Sequence, residues 1–209
     1  MKSFILGFAD SIASGKSTLS IEVASSLGWQ RVSFGDYVRT VAQGQGLGES
    51  REILQTVGAT LVNQGMEQFC KAVLAQADWE PRQPLVVDGI RHAEILSTLR
   101  RLVAPSELLL IFVAVNNSTR EARLIERGLT HREQWQQFEA HSTETQVQTV
   151  LRAIADFTVD STQKIEELVK EIVTWVQQLR EEISIHRLPG EANHVAEISN
   201  AENIFWDKE

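Results

Sequence analysis

Phe4-Ile5-Leu6-Gly7-Phe8-Ala9-Asp10, followed after a short gap by Ser14-Gly15-Lys16-Ser17-Thr18, is the stretch on which the reading of this chain turns. An apolar run of that length predicts a buried strand. The small residues after it predict a turn. Leu19, Val23, Ala24 and Leu27 then recur at helical spacing, so Lys16–Leu27 reads as a helix closed by Gly28. Strand, small-residue turn with Gly-Lys-Ser, then helix is the setting of a phosphate-binding loop. Such a turn aims backbone N–H groups inward, the helix N-terminus adds positive potential, and Lys16 adds a full charge. Ser17 is placed to put its hydroxyl on Mg2+. The glycine usual five residues before Gly15 is replaced by Asp10.

Working outward, Gln30–Phe34 reads as a second short strand, with Gly35-Asp36 as the turn after it. A helix begins at Tyr37 and is broken by Gly44, Gly46 and Gly48. Residues 49–77 carry a helical pattern, bent near Gly58 and Gly65. Leu85-Val86-Val87-Asp88 is a third strand with an acid at its tip, and 92–103 a helix. The continuous apolar run 108–115 implies a strand buried on both faces. Ser118-x-x-Glu121 predicts a capping box for the next helix. The segment 128–149 is polar and glutamine-rich. Phe157-Thr158-Val159 is a last strand, and Ile165, Leu168, Val169, Ile172, Val173, Val176 and Leu179 form an amphipathic stripe. Strands alternating with helices, the strands lacking polar alternation, give an α/β architecture: a parallel sheet with helices on both faces.

The chain has 209 residues, enough for one domain of about 1–180 with an appendage. Residues 181–209 hold seven acids and two bases, against a whole-chain net charge of −8, and read as an acidic C-terminal tail. Its Ile204-Phe205-Trp206 cluster could dock on the domain or form a partner or dimer contact. The overall charge argues against nucleic acid as a general partner. The single Cys70 allows no internal disulfide and fits a reducing, cytoplasmic compartment. No run approaches a membrane span, and Asp10 ends the first apolar stretch too early for a signal peptide.

In an open parallel sheet, ligands bind beyond the carboxyl ends of the strands. Four clusters fall there: the loop Ala13–Thr18; Asp36 with Arg39; Asp88 with Arg91; and Arg120, Arg123 and Arg127 on one helix face. Asp88 at a strand tip is suited to hold Mg2+ or its waters beside Ser17, or to serve as a turn residue. Asp36 could orient an acceptor, act as a base, or cap a helix. Arg39 and Arg91 have the planar forks that suit phosphate oxygens, and pair equally well with surface acids. His92, His131 and His141 show no metal-ligand spacing.

Ile12–Thr18, Ser33–Arg39, Val87–Arg91, Arg123–Gly128 and Ala155–Asp160 together resemble the P-loop kinases of the nucleoside monophosphate kinase type, a group that includes adenylate and cytidylate kinases and the related dephospho-CoA kinases. The resemblance runs from about residue 4 to 179. It implies a P-loop NTPase-type three-layer fold with a five-stranded parallel sheet, and a helical, mobile lid at about 128–150. It implies ATP with Mg2+ as donor. Ala13, Ser14, Gly15, Lys16, Ser17 and Thr18 would hold the donor phosphates, and Ser17 and Asp88 the metal. Arg39 and Arg91 would bind the acceptor's phosphate. Lys16, Arg123 and Arg127 would stabilise the transferring group, with Asp36 as a further catalytic candidate. The lid stretch holds Arg132 but no further arginine, and Arg152 lies on the following segment. The expected activity is phosphoryl transfer to a nucleotide-like acceptor. The alternatives are a dephospho-CoA kinase-like enzyme, in which Asp36 would be the base for a hydroxyl acceptor, and a nucleotide-binding sensor or partner protein with little catalysis.

Overall fold

The computed structural model describes residues 3–10, 13–126 and 147–185. Its five strands are β1 (Phe4–Asp10), β2 (Gln30–Ser33), β3 (Leu85–Asp88), β4 (Glu107–Ala114) and β5 (Phe157–Asp160). They form one sheet in the order β2-β3-β1-β4-β5, and every neighbouring pair is parallel. The helices are α1 (Lys16–Leu27), α2 (Phe34–Gly44), α3 (Arg51–Leu74), α4 (Ala93–Leu102), α5 (Asn117–Glu126) and α6 (Ile165–Ile185). This is the three-layer arrangement expected from the alternation of strands and helices.

The absence of polar alternation in β1 and β4 has a direct cause. Phe4, Leu6 and Phe8 of β1, with Leu109, Ile111 and Val113 of β4, pack under α1 and α6. Ile5 and Ala9, with Leu108, Leu110 and Phe112, pack under α2, α3 and α4. Successive side chains point to opposite faces, and both faces are covered. Gly7 sits where the sheet meets the turn after β3: a Cβ there would lie 2.6 Å from Ile90 Cδ1.

Four local readings change. Gly35 and Asp36 form the first turn of α2, because Ser33 caps it: the Asp36 N–H donates to Ser33 Oγ at 3.2 Å. The cap of α5 is Asn116 in place of Ser118, its Oδ1 accepting from the Thr119 N–H at 2.8 Å and from the Ser118 hydroxyl at 2.9 Å. α3 passes through Gly58 unbroken and kinks only at Gly65, at φ 152° and ψ 108°. α6 continues to Ile185, so the first residues of the acidic segment extend the helix. Of the segment expected to be a lid at about 128–150, residues 128–146 lie outside those described, and Val147–Leu151 forms a single π-type turn. The Ile204-Phe205-Trp206 cluster also lies outside.

The register sets the site. Phe8 and Ser33 both stand beside Asp88, and Asp10 reaches two residues beyond Phe8, beside Val113. The carboxyl tips of β1, β2 and β3 therefore end in a row, and each carries a polar residue.

Candidate functional site

The turn between β1 and α1 is built by backbone conformation. Gly15 sits at φ 87°, the left-handed region that glycine enters at little steric cost. Ala13 is forced there too, at φ 65°. Gly15 brings no side chain to cap α1, and the first N–H of that helix, that of Lys16, donates to Ser14 Oγ at 3.2 Å. Ser14 and Lys16 are buried, while Ser17 and Thr18 are exposed on the opening turn of α1.

Lys16 is 6% exposed and does not project into solvent. Its ammonium bonds Asp88 Oδ1 at the tip of β3 and stands 3.5 Å from Asp10 Oδ1 at the tip of β1. Asp88, 1% exposed, is held on its other oxygen by Arg31 Nη2. Burial by itself pushes the Asp88 carboxyl up; the charges and hydrogen bonds of Lys16 and Arg31 outweigh it and hold the group below its ordinary value. Arg31 also donates from Nη1 to Asp36 Oδ2 at 3.2 Å and from Nε to Ser20 Oγ at 2.9 Å. Arg39 takes the second Asp36 oxygen at 2.6 Å. One chain of alternating charges, Asp10–Lys16–Asp88–Arg31–Asp36–Arg39, thus links the turn after β1 to α2.

Arg123, on α5, crosses to the same turn. Its Nη1 donates to the Ala13 and Ser14 carbonyls at 3.3 and 2.7 Å and to Ser161 Oγ at 3.1 Å, and Nη2 donates to the Ser161 carbonyl at 2.7 Å. The guanidinium therefore ties the left-handed turn to the loop after β5. A Cβ on Gly15 would lie 3.7 Å from Nη1, so Arg123 also brings positive charge against the turn.

The residues singled out in the sequence gather as follows. Ala13, Ser14, Gly15, Lys16, Asp88 and Arg123 meet directly. Asp36 and Arg39 join them through Arg31. Arg91 is partly buried in the loop after β3, where Gly89 at φ 91° turns the chain back toward the start of α2. Arg120 is buried in α5. Arg152 lies over the Phe112 ring at 5.9 Å. Arg127, Arg132, His131 and His141 lie outside the described residues. Two participants were not foreseen. Arg31 reads in sequence as a polar residue in a short strand; the signal available was that a partly polar β2 had to pair with the apolar β3. Ser161 carried no signal at all.

The donor set suits a polyphosphate with a hydrated cation. It offers the N-terminus of α1, a lysine, one hydroxyl at Ser17 and a carboxylate at Asp88 that, with both oxygens held by Lys16 and Arg31, would meet a cation through water. Among the described residues no group of three or more His, Cys, Asp or Glu converges to hold a metal by itself. A cation here would rely on phosphate oxygens and water, as Mg2+ commonly does. Among the described residues, no helix is long and apolar enough to cross a membrane.

Solved structures with this fold include APS kinase from Mycobacterium tuberculosis in complex with AMPPNP and APS, at 16% identity and TM-score 0.57 over 84% of this chain and 98% of that one. A gluconokinase from Sinorhizobium meliloti 1021 matches at 18% identity and TM-score 0.55, covering 90% and 98%. Shikimate kinase from Aquifex aeolicus matches at 14% identity and TM-score 0.52, covering 84% and 98%. At such identities the likeness is one of fold: a P-loop NTPase fold of the kind seen in small-molecule kinases. No curated protein sequence matches the chain. A family model described as AAA domain matches residues 11–145, from the phosphate-loop turn through α5 and beyond, which is more than half of the chain. By that match, the chain belongs to the AAA domain family.

Proposed function

We propose that this protein is an ATP-dependent phosphotransferase that moves a phosphoryl group from Mg-ATP to a nucleotide-like, phosphate-bearing small molecule. The observation that carries the reading is the charged chain from Lys16 through Asp88 and Arg31 to Asp36 and Arg39, which joins a donor-side loop to an acceptor-side helix at one sheet edge. In this reading Ala13 to Thr18 hold the donor phosphates, Ser17 would hold Mg2+ and Asp88, both of whose oxygens are taken by Lys16 and Arg31, would hold its waters; the ion when bound supplies charge neutralisation. Arg39 and Arg91 receive the acceptor phosphate. Arg123 adds fixed positive charge at the loop while holding its shape, and Arg127 serves the transferring group. Such catalysis rests on positioning and charge neutralisation. The small-molecule kinases that share the fold support transfer to a small molecule, and the APS kinase structure holding AMPPNP and APS together supports a nucleotide-like acceptor.

A dephospho-CoA kinase-like reaction needs Asp36 as a base. Guanidinium groups on both of its oxygens oppose that role. Binding without turnover, as a nucleotide sensor, is favoured by one fact: Lys16 is already neutralised by carboxylates.

The test is an acceptor screen with Mg-ATP: nucleoside monophosphates, APS, dephospho-CoA, and the phosphate-free acceptors gluconate and shikimate. Transfer to a nucleoside monophosphate or to APS, lost in Lys16→Ala, is the expected result; transfer to dephospho-CoA alone puts the dephospho-CoA kinase-like reading in its place. Transfer only to a phosphate-free acceptor overturns the acceptor assignment. Tight nucleotide binding with no transfer to any of them leaves the sensor reading in its place.

A further inference from the structure

Asp10 occupies the position at which a phosphate loop ordinarily has glycine, and its side chain points into the loop. It is 6% exposed. Oδ2 accepts the Ser14 hydroxyl at 2.5 Å, and Ser14 Oγ in turn accepts the Lys16 backbone N–H at 3.2 Å. Oδ1 has no hydrogen-bond donor among the described residues and stands 3.5 Å from the Lys16 ammonium. A buried carboxylate oxygen without a donor is costly. A tether for Ser14 alone would need only a neutral acceptor there.

The charges around Lys16 explain what the carboxylate does. Lys16 faces Asp10 and Asp88, Arg31 faces Asp88, and Arg123 adds a positive charge at the turn, so Asp10 leaves the cradle one charge less positive than the same loop with glycine there. A phosphate oxygen bonded to the Lys16 ammonium at about 2.8 Å would lie within about 6 Å of Asp10 Oδ1. Over that distance, in a buried turn, the repulsion is weakly screened and grows with the charge of the ligand. Free ATP carries about four negative charges and its Mg2+ complex about two, so the same carboxylate penalises the free nucleotide more.

We infer that Asp10 is a specificity-determining residue: a fixed negative charge inside the phosphate cradle that makes the site choose among polyphosphates by net charge, favouring the Mg2+-complexed nucleotide over the free one. The inference rests on the proposed function only in taking the turn as a phosphate cradle. It requires no particular acceptor and no turnover.

Calorimetric titration of the full chain with ATP in excess Mg2+, and with ATP in EDTA, tests it for the wild type, Asp10→Asn and Asp10→Gly. Asp10→Asn keeps an acceptor for Ser14 and removes the charge; Asp10→Gly restores the usual residue and guards against a folding failure of the first variant. Both variants are expected to bind free ATP at least tenfold more tightly than the wild type, with a smaller gain for Mg-ATP. The wild-type preference for Mg-ATP should shrink accordingly. Equal or weaker binding of both ligands by folded variants, with the wild type binding normally, overturns the inference and leaves the cradle intact. Equal gains for the two ligands overturn it as well, because the effect would then not follow ligand charge. No nucleotide binding by the wild type or either variant removes the cradle itself, and with it both this inference and the proposed function.

Discussion

Replacing Arg123 by alanine separates the role expected from sequence, a charge for the transferring group, from the one the fold adds, a brace for the loop. The guanidinium makes four hydrogen bonds, to the carbonyls of Ala13, Ser14 and Ser161 and to the Ser161 hydroxyl. Bonds from a charged donor contribute roughly 1.5–3 kcal/mol each when fully desolvated. Arg123 is only partly buried and water can reach the vacated carbonyls, so the four together are expected to be worth about 3 kcal/mol. For a domain of this size, each kcal/mol lowers the melting temperature by about 2–4 °C. Arg123→Ala should therefore melt roughly 6–12 °C lower by circular dichroism, without any nucleotide present. The left-handed Ala13, no longer braced, should relax, and Mg-ATP affinity should fall by roughly 5- to 30-fold, since positive φ at a non-glycine residue costs roughly 1–2 kcal/mol. Arg123→Lys keeps the charge and one donor group, and should recover part of the lost melting temperature. An Arg123→Ala variant that melts within a degree of the wild type but has lost activity would refute the brace and leave only the transferring-group role.

Further outcomes follow from the same network. Asp88 is held below its ordinary carboxyl value in the fold, so it stabilises the protein above the unfolded-state value near pH 4, and that contribution is lost as pH falls through the lowered one. Arg31→Met removes one of its two cations, so the acid-unfolding midpoint should move to higher pH; an unchanged midpoint would mean that Arg31 does not bear on Asp88. Burial pushes the Cys70 thiol up to about 12, so a thiol-specific reagent at pH 8 should label the native protein at least about a hundredfold more slowly than the urea-unfolded chain. Gly89→Ala places a Cβ 3.5 Å from Phe34 Cβ and 3.7 Å from the Gly35 nitrogen at φ 91°, and should lower unfolding stability by about 1–2 kcal/mol. A neutral result in denaturant melts would mean that the turn can adopt another conformation.

Much of this architecture was legible before any coordinates. The apolar runs of β1 and β4 lack alternation because both faces of the sheet are covered, and that pattern alone identifies central parallel strands. The loop from Ala13 to Thr18 was legible because a short turn between strand and helix is local, and glycine and small residues report its geometry directly. Helix starts were read less well. Ser33 caps α2 and Asn116 caps α5, and in each case several polar residues competed for the position; only the entry path of the chain selects among them.

Sequence by itself determined the kind of site: a phosphate-type turn with Lys16 at the mouth of a parallel sheet, and acids and arginines at the tips of neighbouring strands. These follow from local conformational preference and burial, which each short segment carries with it. Tertiary structure alone decided the pairing. Arg31 meets Asp88 across 57 residues of chain and Arg123 meets Ser14 across 109, and no periodicity encodes such contacts. Whether Asp10 turned away from the loop or into it was also a tertiary matter, settled by where the β1 tip sits relative to Lys16 and Ser14. A charge is the same letter in either orientation, and its effect on a bound phosphate depends on a few ångströms that only the packed sheet supplies.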